Sequence, residues 1–238
     1  MRTTISILAL AAVALLGYRM TAGGNERESD SDSWTTEFVV EKNELSSKGR
    51  NQYFILEPGY RVVFKSKTDE LVITVLDETK TVDGVETRVV EERETKRGEL
   101  YEVSRNFFTI SKRTNCVFYF GEEVDFYKGR KVTSHEGAWL AGEKGAKPGL
   151  AMPGQVLLGG RYYQELARGQ AMDRAEIVSM KETVDTPAGK FTNCLKIRET
   201  DALKPATEEY KYYAPGIGLV QDESMKLVKY GSGRRTAK

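Results

Sequence analysis

Histidine is nearly missing from this 238-residue chain, with His135 the single example. That removes the usual general base and the commonest metal ligand together. A zinc site needs three or four nitrogen, sulfur or carboxylate ligands. His135, in T-S-H-E-G, with two distant cysteines does not supply that spacing. A Ser-His-acid arrangement would rest on His135 with Ser134 and Glu136 as its sequence neighbours, which is not how such triads are assembled. His135 therefore reads as a polar turn residue. G-x-S-x-G, C-x-x-C and H-E-x-x-H are all absent, and Gly142–Gly149 (G-E-K-G-A-K-P-G) lacks the Walker spacing and its closing Lys-Ser/Thr. No metal and no cofactor are expected.

An excess of either charge is also lacking. Lysine plus arginine (36) against aspartate plus glutamate (35) leaves +1, so there is no basic face for nucleic acid. The basic end at Arg234, Arg235 and Lys238 is too short to change this. The longest apolar run, Ile5 to Gly17, is too short to cross a ~30 Å bilayer core comfortably. Behind Arg2 and ahead of Ala22, Gly23 and Gly24, it fits the core of an export signal. Residues 1–24 are thus expected to be a signal peptide or an uncleaved N-terminal anchor, the one segment to touch a membrane. The protein is expected to be extracytoplasmic: periplasmic, secreted or held in the cell envelope. No cysteine lies near this segment, which excludes a lipid anchor there. Residues 25–33, N-E-R-E-S-D-S-D-S, read as a disordered acidic and serine-rich linker. Their D-S-D-S lacks the glycine and distal glutamate of a calcium loop. Residues 34–231 would form a single β domain, followed by a basic tail at 232–238. Cysteine is scarce as well. Cys116 and Cys194 would pair in an oxidising compartment, a bridge worth about 4 kcal/mol on chain-entropy grounds. The alternative is two separate buried thiols.

What is present is strand. Val, Ile, Thr, Tyr and Phe recur in short runs divided by glycine and proline turns. The clearest hairpin joins Glu70–Val82 to Val85–Glu94 through Asp83-Gly84, a pair suited to a type I′ turn. Val85, Thr87 and Val89 alternate with Glu86 and Arg88, so one face should be wet, and the charges up to Arg97 look like a solvated stem. Cys116–Glu123, C-V-F-Y-F-G-E-E, carries aromatics at successive positions, as a strand covered on both faces would. Turns at Pro58-Gly59, Thr186–Gly189 and Ala214–Gly218 divide the remaining runs. Arg161–Glu165 reads as a strand start in preference to a helix, because Gly169 interrupts the helical period. About ten strands with little helix predict an all-β protein, an antiparallel barrel or a strongly curved half-barrel, which leaves few open edges.

One stretch does not alternate. Gly137–Glu165 combines seven glycines and two prolines with Trp139, Leu150, Met152, Val156, Leu157 and Leu158. It is too broken for a regular central strand and too apolar for a solvated loop. It is expected to be an ordered excursion lying as a lid across the barrel's mouth, with any site beside it. Taken in order, N-Q-Y-F-I-L-E-P-G, F-Y-F-G-E, G-A-W-L-A-G-E-K-G-A-K-P-G-L-A-M-P, G-G-R-Y-Y-Q-E, T-P-A-G-K-F and Y-K-Y-Y-A-P-G-I-G-L-V resemble a family of exported bacterial β-rich proteins of unknown function. That family's pattern is W-x-A-G…G-A-x-P-G…M-P…Y-x-Q-E, and the resemblance covers Asn51 to about Tyr230. The last two pieces also look like turns in exported lipoprotein-type β domains that carry apolar cargo. The resemblance implies a lipocalin-like or lipoprotein-carrier-like shell and assigns no reaction.

Carboxylates are then the only general acid/base candidates. Glu122 ends the aromatic strand, and Glu165 ends the excursion. If they met across a pocket lined by Tyr119, Trp139 and Tyr163, a paired-acid hydrolase or isomerase would follow. The plainer alternative has these acids hold loop backbone or pair with Arg161. The leading expectation is a binding protein for a small apolar or ring-shaped ligand or an envelope component, contacted by Tyr119, Trp139, Met152, Tyr163 and Glu165. A third reading is an interaction module that uses the excursion as its docking surface.

Overall fold

The computed structural model describes residues 34–232. The expected signal or anchor, the acidic linker and all but the first residue of the basic tail lie outside that range.

A single turn of 3-10 helix at Lys42–Glu44 is followed by strand alone. Three short strands come first: β1 (Leu45–Ser46), β2 (Gly49–Arg50) and β3 (Ile55–Leu56). The first half of the barrel wall is β4 (Tyr60–Lys65), β5 (Asp69–Val82), β6 (Val85–Lys96), β7 (Glu99–Ser111) and β8 (Val117–Lys128). The next pieces are β9 (Lys131–Ser134), β10 (Trp139–Leu140), β11 (Lys147–Met152), β12 (Arg161–Tyr163) and β13 (Glu165–Leu166). The second half is β14 (Asp173–Thr186), β15 (Gly189–Asp201), β16 (Glu208–Ala214), β17 (Gly218–Asp222) and β18 (Met225–Ser232). The class is the expected one. The strand number exceeds ten because glycine and proline chop residues 137–166 into several two- to six-residue pieces.

Neighbouring strands run β12-β14-β15-β16-β17-β18-β4-β5-β6-β7-β8-β11-β13 in one antiparallel sheet, and β9 and β10 pair with β8 off this path. Its two ends, β12 and β13, are consecutive pieces of one segment with Gln164 between them. Arg161–Tyr163 pairs with β14, while Glu165 and Leu166 pair with β11. The segment brings both ends together and nearly closes the barrel. The expected lid is therefore largely wall. Trp139, Leu150 and Met152 are buried in it, whereas Leu157 and Leu158 stand 63% and 67% exposed in the turn before β12. Proline and glycine sit inside β11 because of crowding. A Cβ on Gly149 would lie 2.1 Å from the Gln164 carbonyl oxygen. Gly149→Ala is accordingly expected to push β11 off the closing segment and cost about 3 kcal/mol, read as a fall in the unfolding midpoint. A Tm within about 2 °C of the unaltered protein, a window set by the usual size scaling, would contradict this account of closure.

The Asp83-Gly84 turn adopts the expected geometry, with φ of +48° and +73°. The stem behind it is only partly solvated: Glu86, Arg93 and Arg97 are exposed, Arg88 and Glu94 are not. Arg88 is buried, its Nε donating to the Ser47 carbonyl at 2.8 Å and its Nη1 to the Glu78 carbonyl at 3.2 Å. The disulfide is not formed either, and both cysteines are free. Cys116 precedes β8, where its sulfur accepts the Gly154 N–H at 3.4 Å. Cys194 is wholly buried in β15. Those strands are not neighbours in the sheet, so each thiol is fixed in its own wall.

Residues 51–57 cross one end of the barrel. Asn51 Nδ2 donates to the Asn115 and Pro153 carbonyls at 2.8 and 2.9 Å, and on the opposite wall the Gly216 N–H donates to the Gln52 carbonyl at 2.7 Å. Behind this plug the interior is apolar: Leu56, Phe64, Leu195, Ile197, Val220 and Leu227 are wholly buried.

Candidate functional site: an acid-lined end of the barrel

Along several strands the inward positions change character toward the unplugged end. Successive inward residues run Val90, Glu92, Glu94 in β6; Ile197, Glu199, Asp201 in β15; and Tyr213, Lys211, Glu209 in β16. Register fixes these faces, because directly opposed residues in an antiparallel pair share one. Glu94 faces Glu102, Asn106 faces Glu122, Asp173 faces Asp201 and Glu199 faces Glu209. The opposite face is independently accounted for. Arg161 and Arg198 pair outside with Glu176, and Lys196 sits over the rings of Tyr210 and Tyr212.

The resulting ring is electrostatically crowded. Burial, reinforced by Glu92 and Glu102, raises the Glu122 carboxyl to about 8, although a hydrogen bond from the Ser104 hydroxyl opposes the rise. Burial likewise brings Glu92, Glu102, Asp173 and Glu209 to about 7, with neighbouring carboxylates adding to it in each case. Glu165 is raised well above the usual carboxylate range by burial, then by Asp173 and Glu122. Glu122 and Glu165 thus lie close enough for each other's charge to matter. Lys211 is the cation among them. Burial pulls its pKa down, but Glu199 and Asp222 outweigh that and hold it protonated. Its Nζ lies 2.7 Å from Glu199 Oε2, and Gln164 Nε2 donates to Glu199 Oε1 at 3.1 Å.

Aromatic rings connect the plug to this ring. Phe54 packs edge-on against Phe108 at 5.0 Å, Phe108 stacks on Tyr119 at 4.6 Å, and Tyr119 meets Trp139 edge-on at 5.4 Å. The Tyr119 hydroxyl is engaged, donating to Asn106 Oδ1. Trp139 can lie opposite Glu122 because Gly121, at φ +148°, has no Cβ; one there would come within 2.6 Å of the Trp139 carbonyl oxygen. Two inward-facing buried donors at this end have no partner among the described residues, Trp139 Nε1 and the Tyr162 hydroxyl, and on the outer face Trp34 Nε1 and Arg198 Nε are likewise unpartnered. Tyr162 opposes inward-facing Ala175, and the Glu199 charge acts on its hydroxyl.

Of the residues singled out in the sequence, Glu122, Glu165, Tyr119 and Trp139 come together here. Tyr163 does not. It pairs with Arg174 on the outer face and meets Trp34 edge-on at 6.4 Å. Met152 is wholly buried opposite Val117 near the plug. His135 is exposed beyond β9, with Nδ1 2.8 Å from the Val124 carbonyl oxygen and 2.9 Å from Asp125 Oδ1. Sequence reasoning missed Glu92, Glu102, Tyr162, Asp173, Glu199, Glu209, Lys211 and Asp222. Acids at every second position of facing strands were the available signal. Among the described residues no acid, histidine or cysteine group is close enough to hold a metal ion.

A family model described as DUF3108-like matches residues 166–230, about a quarter of the chain. Among solved structures, the chain is similar to a candidate lipoprotein from Parabacteroides distasonis ATCC 8503, at 14% identity and a TM-score of 0.37, over 77% of this chain and all of that one. No curated protein matches.

Proposed function

We propose that this protein is an extracytoplasmic binding shell that takes a small polar ligand into the acid-lined end of its barrel. The observation that carries the reading is the pair of buried, unpartnered donors, Trp139 Nε1 and the Tyr162 hydroxyl, beside a ring of inward carboxylates. Buried donors without partners are costly, and two at one site suit an acceptor brought by a ligand. An apolar guest, which the sequence suggests, suits this lining poorly. The half of the barrel that would accept it is already filled by side chains such as Phe64 and Leu227. The export-like run Ile5–Gly17 supports the compartment.

Binding also accounts for the acids better than catalysis does. Acid/base chemistry wants two carboxyl groups whose environments push them apart, one to hold a proton and one to stay ionised. Glu122, Glu165 and Asp173 are all pushed the same way.

A thermal-shift and amide-NMR screen with glucose, glucosamine, glutamate and spermidine tests the reading. At least one should raise the Tm and move resonances of inward residues such as Ala175 and Ile197. Tyr162→Phe should leave the free protein as stable or more so while weakening that binder. If no compound moves those resonances, or if Tyr162→Phe unfolds the protein, the binding-shell reading is wrong.

A further inference from the structure

Resting on that reading, we propose that the ligand is a protonated amine carrying neutral oxygen acceptors, an amino sugar or amino alcohol, with its ammonium among the inward acids and a hydroxyl on Trp139 Nε1. The first part follows from register. Glu94 against Glu102, Asp173 against Asp201 and Glu199 against Glu209 place like charges directly opposite on the inner face. Such pairs are destabilising, and packing gains nothing from three of them. Lys211 offsets the Glu199–Glu209 pair and Lys96 part of the Glu94–Glu102 pair, and a further cation between the strands would offset the rest. Lys211 is already taken by Glu199 at 2.7 Å and lies opposite Asp222. Lys211 also acts on Asp173 and Glu165, and Lys96 acts on Glu94 and Glu102, so among the described residues Glu122 is the inward acid on which neither lysine acts. Lys96, 3.4 Å from Glu94, reaches only the edge of the ring.

The second part follows from the donors. An indole N–H can only donate, so its partner must present a lone pair. A carboxylate or phosphate would be repelled by the acids around it, which leaves hydroxyl, ether or neutral carbonyl oxygen. A bare polyamine supplies the charge and nothing for Trp139. A metal ion supplies no acceptor, and these acids are not grouped closely enough to ligate one among the described residues. The hydroxyl of Tyr162, a residue only 4% exposed and under the influence of Glu199, is available to a second ligand hydroxyl.

Proton exchange supports this assignment. Glu122, facing Glu92, Glu102, Glu165, Asp173 and the Ser104 hydroxyl, holds its proton to about pH 8. An ammonium beside it favours the ionised form, so binding should release protons and tighten as the pH rises from about 6, until the amine begins to lose its own proton.

The test uses Trp34→Phe, which leaves Trp139 as the only tryptophan in the chain. Glucosamine should change its emission saturably, with affinity weakened by about 0.5 M sodium chloride and passing through a maximum where the site acids are ionising and the amine is still protonated. N-acetylglucosamine keeps the ring and hydroxyls but loses the charge, and should bind at least about tenfold more weakly, as should glucosamine to Glu122→Gln, a loss of about 1.4 kcal/mol in either case. Should Trp34→Phe fail to fold, the two indole N–H resonances of the unaltered chain report the same event. Glucose or N-acetylglucosamine binding as tightly as glucosamine would overturn the amine while leaving the binding shell standing. Spermidine binding tighter than glucosamine without moving the Trp139 indole would overturn the acceptor. No response from either sugar or spermidine, with the earlier screen also empty, would remove both readings.

Discussion

Raising the pH from about 5.5 to about 8.5 should lower the unfolding midpoint by on the order of 10 °C, a large effect for a domain of this size. The sign follows from the inward acids. Glu92, Glu102 and Glu209 titrate near 4.5 in an open chain and at about 7 in the barrel, and Asp173 moves from 3.8 to about 7. Glu122 moves furthest of these five, to about 8. A carboxyl raised on folding binds its proton more tightly in the native state. Its stabilising contribution is full below the open-chain value and is lost as pH climbs through the native one. Each tenfold gain in proton affinity on folding is worth about 1.4 kcal/mol, and because these groups act on one another the total is smaller than their sum. Burial is the first cause in every case, with neighbouring carboxylates following. Glu122→Gln should therefore be more stable than the parent at pH ~8.5, nearly equal to it at pH ~5.5, and should show a flatter profile. Calorimetric scans across that range decide it. A midpoint that rises or stays level with pH would mean that these carboxyls are not enclosed as described.

Lys211→Met should be the most damaging single change inside the barrel at alkaline pH. Lys211 is the cation that holds Glu199 at 2.7 Å and faces Asp222 across the strand pair. Removing one partner of an enclosed ion pair leaves the other uncompensated, at a cost of about 3–5 kcal/mol. Methionine has similar length and bulk, so packing is largely kept. Below about pH 6 Glu92, Asp173 and Glu209, on which Lys211 also acts, take up protons, and part of the loss should vanish. Urea titrations at the acidic and alkaline ends of the range separate the two contributions. An equal loss at both would assign Lys211 to packing instead of charge.

The wall is more legible in the sequence than its lining. Asp83-Gly84 and Ala214–Gly218 mark turns by local backbone chemistry, which sequence states directly. The alternation in E-E-R-E-T-K or E-E-Y-K-Y-Y is also plain, but which face points inward is not. Apolar alternates read as core, as in a sheet with one wet side. Here the outer Tyr210 and Tyr212 are shaded by Lys196, and the intervening Glu209 and Lys211 look inward. Faces reverse only once strands from both halves of the chain are joined, and no local window holds that information. Glu122 and Glu165 stand out because each ends a conspicuous motif. Cys116 and Cys194 mislead because compartment says that thiols can oxidise, whereas pairing requires neighbouring walls.

Most seams in the barrel are hairpins that a growing chain could zip as it emerges. The seam between β4 and β18 is different. It lays Tyr60–Lys65 against Lys226–Ser232, so the first long stave must wait for the last. Until then the inward acids stay in water, ionised and mutually repelling, and the cylinder stays an unrolled ribbon. Assembly of this protein is thus timed by β18, and losing Met225–Ser232 should leave a chain that never rolls up.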